Sequence, residues 1–182
     1  MILPLFRRPG RTIDALYGAI VAQARAAHFY AEMGVPDTVP GRFDMVLLHV
    51  VLVLRRLREG EAGERALAQG LFDAFCRDMD HNLREMGISD PGVPRQMQKV
   101  GEAFYGRAQA YDAALAESGE ALAQTLARNV YAEATGSRIA AARLAAYVRQ
   151  AVERLDAQPL EELARGMVRF PKPELTLTSA AE

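Results

Sequence analysis

The chain has 182 residues, half of them hydrophobic and a quarter charged, with a formal net charge of −1. That length makes one ordinary domain with a buried core, and so high an apolar fraction at near-neutral charge excludes an intrinsically disordered chain. A pI near 6.3 removes the electrostatic basis for nucleic acid as the main partner, and a single cysteine, Cys76, excludes an internal disulfide or a Cys-rich zinc site.

Alanine, leucine and arginine dominate, tryptophan is absent, and only Lys99 and Lys172 are lysines. This is a helix-forming composition. Residues 1–11 read as a flexible arm, apolar at its tip and then basic at Arg7, Arg8 and Arg11. The order of charge and apolar residues is the reverse of a secretory signal. A frayed terminus and a contact with an anionic membrane face are the two readings of this arm.

A helical domain is expected over residues 12–167. Ile13, Leu16, Tyr17, Ile20, Ala24, Ala27 and Ala31 share one face of a first helix, which Gly34 and Pro36 end. A loop through Pro40 and Gly41 leads to a second helix near 43–58, apolar all round and therefore expected to be buried. It is about half as long as a membrane span requires. Arg55, Arg56 and Arg58 at its end complement the helix dipole. A third helix over about 64–86 carries a stripe of Phe72, Phe75, Cys76, Met79, Leu83 and Met86. Beside it run Asp73, Arg77, Asp80 and Arg84, then Asp78, His81 and Glu85. A fourth helix, about 94–117, buries Met97, Val100, Phe104, Ala108, Tyr111 and Leu115. Its interior glycines, Gly101 and Gly106, mark a close helix approach or a bend. Further helices carry Leu122 to Ala134, then Ile139 to Leu155, then about 159–167. The proline-rich residues 168–182 form an extended tail. The expected fold is all-α, a single-domain bundle of about six to seven helices.

Few residues suggest bond-making chemistry. Asp78 and His81 place a carboxylate and an imidazole on one helical face, but a di-iron bundle needs such a pair on two helices with further carboxylates. A helical metal-binding enzyme centred on this pair is one alternative, and two surface hydrogen-bonding residues are the other. Cys76 on the apolar stripe reads as a packing residue. Arg95, Lys99 and Arg107 form a locally basic stretch, either a solvated face or a contact with a ribosome or lipid. The adjacent aromatics Phe104 and Tyr105 point about 100° apart, so one enters the core. The other either faces outward as part of a protein-binding patch or packs on a neighbouring helix.

The run from Leu71 to Gly87 (LFDAFCRDMDHNLREMG), then Val93-Pro94 and Phe104-Tyr105-Gly106-Arg107, closely resembles the ubiquinol–cytochrome c chaperone family. Gly41-Arg42-Phe43-Asp44 and Leu54-Arg55-Arg56-Leu57 resemble an earlier block of that family, so the likeness covers about residues 12–150. It implies a non-enzymatic, all-helical assembly factor for the cytochrome bc1 complex, without a cofactor. Mitochondrial relatives bind newly made cytochrome b, work with a small partner protein and associate with the ribosome. The chain looks like a bacterial member, expected in the cytoplasm or peripherally at the inner face of the cytoplasmic membrane. Its implied partner is cytochrome b or a bc1 assembly intermediate. The resemblance carries partner binding to Asp78, Asp80, Arg84, Glu85, Tyr105 and Arg107, and charge adds Arg95 and Lys99. A peripheral membrane adaptor using the 1–11 arm is the remaining alternative.

Overall fold

The computed structural model describes residues 9–117, 119–132 and 137–173. Among them are eight helical segments and no strand: α1 (Pro9–Ala24), α2 (Ala27–Ala31), α3 (Val39–Arg58), α4 (Ala62–Glu85), α5 (Val93–Ala116), α6 (Ala121–Asn129), α7 (Ser137–Ala157) and α8 (Leu160–Ala164). The all-α expectation holds, with two of the eight segments only five residues long.

The centre is α3. It packs against α1, α4, α5 and α7, which explains why its sequence is apolar on every side. Twelve of its residues are buried, from Gly41 to Leu57. Each fully buried valine or leucine contributes about 1.5–3 kcal/mol, making this helix the main apolar reservoir of the fold. The helix starts earlier than the sequence suggests, because Thr38 caps it: the Thr38 hydroxyl accepts the Gly41 N–H at 3.2 Å, and Pro40 occupies the first turn. Gly41 is required there, since a Cβ would stand 2.0 Å from the Pro36 carbonyl oxygen.

The expected first helix is two. Between α1 and α2 the chain breaks at Arg25 and Ala26, and the Tyr30 hydroxyl donates to the freed Ala24 carbonyl at 2.8 Å. No glycine or proline marks this break. It is dictated by Phe29, which turns into the core and meets Tyr147 edge-on at 4.8 Å between centroids. Tertiary packing here overrides local helix propensity.

Gly101 and Gly106 do not mark a close approach: a Cβ at either would meet nothing within 4 Å. The helix-to-helix approach is at Gly70 on α4, where a Cβ would press on Ile13 of α1. Helix α1 starts at Pro9, so residues 9–11 of the expected arm are helical, and residues 1–8 lie outside the described residues. The fifth expected helix ends at Asn129, and its further part to Gly136 lies largely outside the described residues. Residues 168–172 form neither helix nor strand, and residues 174–182 of the expected tail lie outside the described residues. This segment is tied down: Gln23 donates to the Pro171 carbonyl at 3.1 Å, and Phe170 stands edge-on to His49 at 5.1 Å.

His49 is fully buried on α3. Its Nδ1 is 2.8 Å from the Met45 carbonyl, which can only accept, so Nδ1 carries the proton. Nε2 therefore accepts from the Tyr147 hydroxyl at 2.9 Å, and that hydroxyl in turn accepts from Gln23 at 2.9 Å. Burial pushes the imidazole down to about 4 and keeps it neutral.

Candidate partner-binding surface

The sequence blocks that looked functional meet around α3, α4 and α5. The mixed-charge face of α4 is largely paired with itself. Asp80 accepts from Arg84 at 2.8 Å, Arg84 also reaches Asp90 in the following turn, and His81 lies 3.1 Å from Glu85. These pairs are exposed, at helical i,i+4 spacing or within the turn, and add little to stability. Arg84 holds the Asp80 carboxyl below its ordinary range. The α4–α5 turn itself is made by Gly87 at a positive φ of 82°.

Asp78 lies apart from this group. It accepts a 2.6 Å hydrogen bond from the Tyr17 hydroxyl of α1, and burial, followed by this bond, drives the tyrosine pKa well up. Asp78 thus ties α1 to α4. His81 faces Glu85 instead, so the two residues of the metal alternative have separate partners. No group of three or more His, Cys, Asp or Glu able to hold a metal occurs among the described residues.

Arg107 is turned inward. Its guanidinium is 2.8 Å from the Asp44 carboxylate and sits over the Phe43 ring at 5.9 Å. The Asp44 side chain is only 10% exposed. Burial raises its carboxyl to about 6, with Arg107 opposing part of the rise. The Gly-Arg-Phe-Asp and Phe-Tyr-Gly-Arg blocks are therefore two halves of one internal contact. The same applies to the Leu-Arg-Arg-Leu block. Arg56 donates to the Leu155 and Gln158 carbonyls at the end of α7 and just beyond it, while Arg55 pairs with Asp156 of α7 at 3.4 Å. Dipole complementarity alone missed these inter-helix bonds.

Tyr105 faces outward, 65% exposed, while its neighbour Phe104 is buried. Its ring lies 5.9 Å from Phe72 of α4 and edge-on to Phe104 at 5.6 Å. An exposed tyrosine held by two aromatics is a rigid, amphipathic contact surface. Arg95 and Lys99 are exposed on α5 and make no ion pair among the described residues.

Sequence reasoning also missed a cleft. The last turns of α4 and the first turns of α3 border a cleft of about 360 Å³, lined by Val39, Phe43 and Val46 of α3, by Met79, Leu83 and Met86 along α4, and by Val100 of α5. Arg25, Arg42, Asp78 and Glu85 stand at its edges. Val39 and Met86 are two of the large apolar residues left exposed, at 65% and 54%. The available signal was the apolar stripe of α4 running to its very end, beyond the reach of core cover. No described helix is long and apolar enough to cross a membrane.

This arrangement has known counterparts. The crystal structure of the Cbp3 homolog from Brucella abortus superposes with a TM-score of 0.83 at 42% identity, covering 96% of this chain and 98% of that one. Ubiquinol–cytochrome c reductase complex assembly factor 1 from Drosophila melanogaster is 28% identical over 83% of this chain, and its Xenopus laevis counterpart 27% over 81%. The chain spans 60% of the fly protein's length and 74% of the frog protein's. The family model described as ubiquinol-cytochrome C chaperone matches residues 31–170, which include α3, α4, α5 and the inward Asp44–Arg107 pair. The chain belongs to the ubiquinol–cytochrome c chaperone family.

Proposed function

We propose that this protein is a non-enzymatic chaperone for assembly of the ubiquinol–cytochrome c reductase (bc1) complex, acting by binding cytochrome b or an early assembly intermediate. The observation that carries this reading is the extent of the likeness: the named assembly factors and the Cbp3 homolog match most of the chain, including the blocks that build its core contacts. The geometry agrees with a binding role. Asp78, Asp80, His81, Arg84 and Glu85 of α4 already have partners, whereas Arg95 and Lys99 on α5 make no ion pair among the described residues and Tyr105 presents an exposed ring.

The contact surface is the exposed α4–α5 face, with Asp80, Arg84, Glu85, Arg95, Lys99 and Tyr105 as its outward groups. Asp78 and Arg107 serve it from beneath, by fixing α4 on α1 and α5 on α3. An aromatic anchor within a polar rim is the usual composition of such a patch. The protein works on the face of the membrane where the client emerges, and ribosome contact through the basic end of α5 is part of the same proposal. Deleting the gene tests the reading. We expect loss of bc1 activity and of cytochrome b, both restored by the intact gene; unchanged levels of both would refute it.

A further inference from the structure

We propose that the cleft between α3 and α4 is a seat for an amphipathic helix of a partner polypeptide, with acidic residues along the edge facing Arg25 and Arg42. The proposal rests on the chaperone reading for the partner being a polypeptide, and it places the grip beside the α4–α5 face.

Three observations point the same way. First, the short connection Glu59–Glu61 joins α3 and α4 at one end, and the cleft lies at the other, where the two helices leave a gap. Its walls carry matching stripes: Val39, Phe43 and Val46 on α3, and Met79, Leu83 and Met86 on α4. Both have the four-then-three spacing by which one helix meets another over about two turns, roughly 10 Å. Two such stripes facing one gap fit a third helix. Second, Val39 and Met86 remain more than half exposed at the mouth. An occupant therefore covers more than the cavity itself, and methionine walls adapt to varied helix faces. Third, the rim is charged. Arg25 follows the end of α1 and Arg42 sits in the first turn of α3, while Asp78 and Glu85 line the cleft from α4, Asp78 being already held by Tyr17 of α1. Arg42 has Asp37 at 2.6 Å, whereas Arg25 has no carboxylate within ion-pair distance among the described residues. An acidic side chain on the incoming helix supplies Arg25 with that partner. The floor is firm, because Phe43 is backed by Arg107 and lies against Phe75 at 6.3 Å.

The probe is a fluorescein-labelled helical peptide of about four turns with leucines at the same spacing. Glutamates line one flank and lysines the other, and a control peptide has every glutamate replaced by lysine. Fluorescence anisotropy with the full chain should show the acidic peptide binding about tenfold more tightly than the control. R25E should abolish that preference, and M86E should weaken both peptides by about tenfold. Neither residue is part of the core, so circular-dichroism melts of both variants should show a folded protein. Absent or equal binding of the two peptides, or binding indifferent to M86E, overturns the proposal. So does a lipid found by native mass spectrometry whose occupancy falls in M86E, or a dimer that M86E dissolves. In cells, M86E should lower the bc1 complex as deletion does. Loss on deletion with normal levels in M86E overturns the cleft and leaves the chaperone reading standing, whereas no loss on deletion refutes that reading itself.

Discussion

Replacing Arg107 by methionine keeps most of the side-chain volume and removes the cation facing Asp44. The carboxylate that remains is buried under α5, with Arg107 its ion-pair partner at 2.8 Å. Even with the cation present, Asp44 titrates near 6 against an ordinary 3.8, a difference worth about 3 kcal/mol against the charged form. Removing one member of a buried pair costs about 3–5 kcal/mol when the other stays charged. The cost depends on pH in a definite direction. A carboxyl whose folded pKa is raised binds its proton more tightly in the folded state, so its favourable contribution is complete below pH 3.8 and is lost as pH rises through about 6. Without Arg107 that folded pKa rises further. Urea denaturation followed by circular dichroism should therefore show R107M losing about 3–5 kcal/mol near pH 8 and recovering much of it near pH 5. D44N/R107M should be more stable than R107M at the higher pH, since the neutral amide needs no cation. A loss below about 1 kcal/mol, or one equal at both pH values, would refute the account of Arg107 as an internal residue.

The remaining predictions use the same measurement or its cellular counterpart. His49 is held at about 4 against an ordinary 6.5, so its contribution to stability is complete above 6.5 and about 3 kcal/mol is lost as pH falls through 4. H49L should flatten the pH dependence of the urea midpoint in that window, whatever it does to stability near neutrality. G41A should lose about 2–3 kcal/mol, because its Cβ collides with the Pro36 carbonyl. G101A should gain about 0.5–1 kcal/mol, since that Cβ meets only open space in a helix interior; a loss there would mean the helix is bent or crowded after all. Y105A should change stability by less than about 1 kcal/mol yet lower bc1 accumulation in cells, and a normal level would remove Tyr105 from the contact surface.

The helices themselves were legible because they follow from local spacing. An apolar residue every three or four positions, with Gly34 and Gly87 at positive φ beyond the helix ends, needs no knowledge of what lies opposite. The burial of α3 was equally visible, since a helix apolar on all sides has nowhere else to go. The resemblance to the family was carried by short blocks. What the blocks do was decided only by tertiary structure. Asp44 and Arg107 are 63 positions apart, and no periodicity within either helix says that one neutralises the other. Charge reads as surface in a sequence because burying it unpaired is costly, so a charge buried with its partner is the case that local reasoning misplaces. The α1–α2 break and the α3–α4 cleft are hidden for a related reason. One depends on where Phe29 finds its neighbours and the other on how far two helices stay in contact, and both distances are set by the whole bundle.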